Sequence, residues 1–217
     1  MKSKSPVIPA ILTTDPEEFA EQVKLAKELA NAVHLDVIDG RFCQGRALKI
    51  EEWPDFKVNY SEVHLMVEKP LDYLDKLADK KITRAILHVE SDMALEDIAK
   101  KARELDILLG FAVNPDTDLV DLRKPMAISQ YIQTMGVEPG AHGRKLSSLV
   151  KTAISYLHHV PPQQIIISVD GGVTKDNIHE LKKLGASYFV SNSAIFGEGD
   201  HHQNYQALLD ALKSHDN

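Results

Sequence analysis

Short apolar runs alternate with stretches of helical period along almost this whole chain, and that alternation constrains its fold more than any single motif. The runs lie at Val7 to Leu12, Val33 to Ile38, Val63 to Val67, Ala85 to Val89, Leu108 to Val113, Ala127 to Met135, Ile165 to Val169 and Tyr188 to Ser191. The seventh is rich in β-branched residues and reads as a strand buried on both faces, a property of parallel sheets. Between the first two runs, Thr14-Asp15-Pro16-Glu17-Glu18 has the form of a helix start: a capping residue, proline at the first helical position and acids in the first turn. Phe19, Val23, Ala26 and Ala30 follow at helical spacing.

Further helices are predicted around Leu48 to Trp53, from Pro70 through Leu77, over Ala94 to Leu105, from Asp118, over Lys145 to His159, over Thr174 to Leu184 and over Asn204 to Lys213. The sixth of these is read as capped by Thr174 and stopped by Gly185. Eight strands alternating with helices, without a break in composition, predict an α/β fold. The expected architecture is a single-domain, parallel eight-stranded (β/α)8 TIM barrel over residues 1–217. An open doubly wound sheet is the alternative. It would place a glycine-rich turn after the first strand, where this chain has Thr13-Thr14-Asp15.

Charge and cysteine content narrow the function classes. Acidic residues number 32 and basic ones 25, for a net charge of −7, which argues against a nucleic-acid partner but not against a local phosphate pocket. The one cysteine, Cys43, excludes an intrachain disulfide and suits a reducing compartment; it reads as a loop thiol rather than a nucleophile. The basic N-terminus is a poor signal peptide, and no apolar run approaches the ~20 residues needed to span a bilayer. A cytoplasmic protein without a membrane partner is expected.

Chemistry enters at the strand ends. In Val33-His34-Leu35-Asp36-Val37-Ile38-Asp39-Gly40, side chains alternate faces, so His34 and Asp36 point the same way. His64 ends the third run and Asp170 the seventh. In a barrel all four reach the C-terminal mouth, where two imidazoles and two carboxylates make a site for a divalent cation such as Zn²⁺, Mn²⁺ or Fe²⁺. Any one of them alone reads as an ordinary polar strand end; four from three strands favour a site. Gly140 to Gly143, Gly171-Gly172 and the Asn192-Ser193 turn are small and rich in exposed amides, suited to a phosphate, with His142 and Arg144 adding charge. A metal, two acids and a phosphate grip suit proton abstraction next to a carbonyl. Met66 and Met135 also fall at strand ends, near where substrate would lie. His88, His158, His159, His201 and His202 are read as structural or exposed.

These residues carry a resemblance. Pro9-Ala10-Ile11-Leu12, His34 to Gly40, Val63 to Val67, Met135 to Gly140, Val169 to Val173 and Asn192 to Phe196 resemble the ribulose-phosphate 3-epimerase family nearly end to end. The resemblance implies a metal-dependent interconversion of ribulose 5-phosphate and xylulose 5-phosphate, a step of the pentose phosphate pathway. It makes His34, Asp36, His64 and Asp170 the metal ligands and Asp36 and Asp170 the acid/base pair. Gly140, Gly143, Gly171, Gly172, Asn192 and Ser193 become the phosphate site. A sugar phosphate and further copies of the chain, as a homo-oligomer, are the implied partners.

Four places depart from the family's usual pattern: Ala10 stands where serine is usual, Cys43-Gln44-Gly45 replaces Val-Pro-Asn, the sixth loop reads Gly140-Ala141-His142-Gly143-Arg144, and Asn192 replaces a glycine. An epimerase of another ketose phosphate, such as allulose 6-phosphate, and a non-catalytic sugar-phosphate binder are therefore carried as alternatives. A related barrel decarboxylase or aldolase would want Asp-x-Lys on the second strand; here Asp36 is followed by Val37 and Ile38.

Overall fold

Short connections hand the chain back from helix to sheet, and at three of them, two to four residues long, a non-glycine residue takes the left-handed conformation. Asn31 (φ 48°), Lys81 (φ 57°) and Asp106 (φ 55°) do so just before a strand. This is the usual way to stop a helix, and Asn and Asp tolerate it best. The computed structural model describes residues 3–139, 146–160 and 164–213. Among the described residues the strands are β1 (Val7–Ile11), β2 (Ala32–Ile38), β3 (Tyr60–Met66), β4 (Arg84–His88), β5 (Leu108–Val113), β6 (Tyr131–Met135), β7 (Ile166–Asp170) and β8 (Tyr188–Ser191). All neighbours pair in parallel, and β1 closes on β8, so the barrel follows chain order. The single-domain (β/α)8 expectation is met, and the open sheet is excluded by that closure.

The helices are α1 (Pro16–Leu29), α2 (Leu74–Asp79), α3 (Leu95–Glu104), α4 (Arg123–Ile128), α5 (Ser148–His159), α6 (Ile178–Lys183), α7 (Ser193–Phe196) and α8 (His201–Lys213), with short 3₁₀ turns before α2 and α4 and at Ile50–Glu52. Asp15 caps α1 by accepting from the backbone N–H groups of Glu17 and Glu18. Outward-facing strand residues such as Leu35, Val63, Leu65, Phe111, Ile167 and Val169 pack against the helices in one apolar layer.

Three boundaries differ from the sequence reading. The sixth strand starts at Tyr131, not Ala127, because residues 123–128 are helical. Met126 is apolar to pack against the barrel, and so short an apolar run does not reveal its period. Helix α6 begins after Asn177, whose side chain accepts from the Thr174 N–H, so Asn177 rather than Thr174 shapes that turn. Helix α8 starts at His201, with Asp200 accepting from the Gln203 N–H, and α7 was not anticipated.

The barrel interior is filled by side chains, as in other closed barrels of this size, but much of the filling is polar. Near the N-terminal ends of the strands the Tyr131 ring lies across the interior. Gly110 on β5 makes that possible: a Cβ there would stand 2.8 Å from Tyr131 Cδ1 and 3.2 Å from Ile86 Cγ1.

Candidate active site

Strand pairing decides which side chains meet. Asp36 on β2 lies directly opposite His64 on β3, and His34 opposite Glu62, so all four project into the barrel. Asp170 ends β7 in register with Met135 of β6 and Val190 of β8. The outcome is convergence: each of His34, Asp36, His64 and Asp170 offers one ligand atom, and these atoms lie within 4.8 Å of one another. His64 Nδ1 is 3.2 Å from both Asp36 Oδ1 and Asp170 Oδ2. His34 Nε2 is 3.4 Å from Asp36 Oδ1 and 3.7 Å from Asp170 Oδ2. The imidazoles form a fully buried floor, while the carboxylates, 10% and 12% exposed, reach the cavity above.

These residues fit a divalent cation on three observations. The donor set is two nitrogens and two carboxylates, suited to a first-row metal or zinc. His34 Nε2 is buried without a hydrogen-bond partner, an orphan lone pair aimed at the cluster. And its tautomer is set: His34 Nδ1 lies 2.8 Å from Glu62 Oε1, so the neutral ring keeps its proton on Nδ1 and leaves Nε2 bare. Glu62 also accepts from the Tyr60 hydroxyl (2.6 Å) and the Tyr131 hydroxyl (3.0 Å). Arg84 donates to the Tyr60 hydroxyl and lies over the Tyr131 ring. On the other side, Gln133 Nε2 donates to Asp170 Oδ2 at 3.0 Å.

Two carboxylates this close require positive charge beside them. Without a metal, the imidazoles supply it. Burial works against protonating His34, but the adjoining Asp36 and Glu62 carboxylates outweigh it and hold its pKa well above the ordinary 6.5. His64 is raised in the same way, against its burial, by Asp170 and Asp36. Burial works against ionising Asp36, yet His34 and His64 bring its pKa well below the usual range.

The stability consequences have opposite signs. The imidazole contribution is fully present below about 6.5 and lost as pH rises through the raised values; that of Asp36 is present above its ordinary pKa and lost as pH falls through the lowered one. A bound cation would replace the imidazole protons. Calorimetric zinc titration in two buffers of different ionisation enthalpy should show about one to two protons released per ion near pH 6, fading once the pH exceeds the raised values. A release independent of pH over that range would remove the imidazoles from the ligand set.

One cavity gathers most of the remaining expected residues. Asp36, Asp170, Met66, Met135, Gly171, Gly172, Asn192 and Ser193 all line it, together with Ala10 and Ser191. Gly171 has φ +91°, and a Cβ there would stand 2.6 Å from Val137 Cγ2, so glycine is required twice over. Asn192 Nδ2 donates to the Ala10 carbonyl at 2.8 Å, which ties β8 to β1 and commits that amide group. Gly140 and Gly143, with His142 and Arg144, lie outside the described residues.

His88, expected to be structural or exposed, is on the buried side of that reading and touches the cluster. It is fully buried, its Nε2 is 2.9 Å from His64 Nε2, and burial pushes its pKa down to about 4. Glu62 and Gln133 were also missed. The available signal was strand alternation: each stands two residues before a site residue, on the same face. Burial, with Asp39 and Asp36 nearby, pushes the Cys43 thiol up to about 11, which agrees with an inert loop cysteine.

A closed barrel with an imidazole and carboxylate cluster at its mouth defines the class, a (β/α)8-barrel enzyme. The chain belongs to the ribulose-phosphate 3 epimerase family, whose profile matches residues 6–196. A ribulose-phosphate 3-epimerase of Aquifex aeolicus is 28% identical over 199 residues, covering 88% of this chain and 90% of that one. The chloroplastic ribulose-5-phosphate-3-epimerase of Arabidopsis thaliana is 30% identical, covering 92% of this chain and 75% of its own. Among solved structures, a 3-hexulose-6-phosphate synthase superposes with a TM-score of 0.72 at 16% identity, covering 96% of this chain and all of that one, which speaks to the fold alone. Among the described residues no helix is long and apolar enough to cross a membrane.

Proposed function

We propose that this chain interconverts D-ribulose 5-phosphate and D-xylulose 5-phosphate by removing and returning the proton on C3. The observation that carries the reading is the meeting of Asp36 and Asp170, from non-adjacent strands, on one imidazole nitrogen at 3.2 Å each. Epimerisation needs one base and one acid on opposite faces of a carbon, and a pair of carboxylates in different environments supplies them.

One aspartate, ionised, takes the C3 proton; the other, protonated, delivers its proton to the opposite face of the resulting enediolate. The pair ends with its protonation states exchanged and serves the reverse direction. His34, Asp36, His64 and Asp170 would hold a divalent cation, which would supply Lewis acidity next to the carbonyl. Burial of the two imidazoles keeps their ring orientation fixed, and Gln133 orients Asp170 by donating to it. Met66 and Met135 present an apolar wall to the reacting carbon. The Gly171-Gly172 and Asn192-Ser193 backbones, with Gly140 and Gly143, take the phosphate.

Ala10 in the cavity wall favours a second reading, a different ketose phosphate such as allulose 6-phosphate, because a methyl group there offers no hydrogen bond to a substrate hydroxyl. Both sugars should be assayed with zinc-, manganese- and iron-loaded protein in deuterated water. Formation of xylulose 5-phosphate with deuterium at C3 is the expected result. No product and no deuterium uptake from ribulose 5-phosphate with any metal would sink the named substrate.

A further inference from the structure

His64 has two ring nitrogens, and only one can face the cation. Its Nδ1 faces Asp36 and Asp170; its Nε2 faces the Nε2 of His88 at 2.9 Å. Two imidazole nitrogens at that distance share one proton, so one is a donor and the other a lone pair. The far side of His88 decides which. His88 Nδ1 lies 2.9 Å from Glu90 Oε2, and an ionised carboxylate only accepts, so the His88 proton sits on Nδ1. His88 Nε2 is then the lone pair, His64 must carry a proton on Nε2, and in the neutral ring it is Nδ1 that is left bare toward the carboxylates.

The far end of this chain is anchored. Glu90 Oε1 accepts from the Asn114 N–H at 2.8 Å and from the Thr117 hydroxyl, tying it to the loop after β5. The Phe42 ring covers His88 with centroids 4.6 Å apart, and Phe42 is held there because Asp39 accepts from its N–H. The relay is therefore shielded along its middle and reaches the barrel rim only at Glu90, whose side chain is 22% exposed.

We propose that His88 and Glu90 are positioning residues that set the tautomer of His64, so that its Nδ1 lone pair faces the cation. The proposal rests on the metal site proposed above. It gives the two histidine ligands matching supports of different length: Glu62 acts on His34 directly, and Glu90 acts on His64 through a second imidazole.

The test measures zinc affinity of the full chain by chelator competition, alongside ¹⁵N shifts of the His64 ring with and without zinc. His88→Phe removes the acceptor and should weaken zinc binding about 10- to 100-fold. His88→Gln, whose amide oxygen can accept the His64 proton, should recover most of that loss, which a purely space-filling role for His88 does not predict. In wild type, zinc should sit on His64 Nδ1 with Nε2 protonated. Should His88→Phe not fold, Glu90→Gln at the exposed end should still shift the His64 tautomer populations in the metal-free protein, read at a pH high enough for the ring to be neutral.

Unchanged affinity in His88→Phe, unchanged tautomer populations in Glu90→Gln, or zinc on His64 Nε2 would overturn the relay while leaving the metal site standing. Wild-type protein that takes up no zinc, manganese or iron would overturn both.

Discussion

Asp170→Asn should lower turnover by about 10³-fold or more while leaving the fold, and most of the affinity for the sugar phosphate, in place. The substitution is nearly isosteric. Its amide oxygen can still accept from Gln133 Nε2, which now donates to Asp170 at 3.0 Å. What it cannot do is take or give a proton at neutral pH. Asp36→Asn should fail to the same degree, because epimerisation needs both faces of the carbon served. The assay compares kcat of metal-saturated wild type and variants, with metal content measured in each, since both residues also offer ligand atoms. A variant that holds its metal and keeps turnover within about tenfold of wild type would remove that carboxylate from the proton-transfer pair. A wild type that binds the sugar phosphate yet turns over none of the ketose phosphates would instead leave a binding protein.

Glu62→Ala should cost about 3–5 kcal/mol of folding stability, the range for removing one partner of a buried charge pair. Glu62 is fully buried and is the shared acceptor for His34 Nδ1 and the hydroxyls of Tyr60 and Tyr131. Its removal strands all three donors, while Arg84 keeps its bonds to the Tyr60 hydroxyl and the Leu109 carbonyl. Glu62→Gln keeps acceptor capacity and shape and should lose less. Equilibrium unfolding of the metal-free proteins in urea gives the comparison; a loss under about 1 kcal/mol for Glu62→Ala would mean that water replaces the carboxylate and that the interior is not the closed network described.

Local sequence determined the elements and the orientation of side chains within each one. Strand alternation was enough to put His34 and Asp36 on one face, and the helix start at Asp15-Pro16 declared itself through short-range chemistry. At residues 127–130, read from local pattern as the start of the sixth strand, that pattern failed: residues 127–128 end a helix that buries Met126 against the barrel, and residues 129–130 lead into the strand. The mouth residues were legible because a barrel sends every strand end to one place. What lay beneath them was not. Whether His88 faces water or His64 depends on the register of β4 against β3 and on Phe42 closing over it from the loop after β2. Glu62 gains two of its three partners from β2 and β6, which lie far from it in sequence. Residue type announces a hydrogen-bonding capacity; only closure of the sheet assigns the partner, because that partner is supplied by a strand elsewhere in the chain.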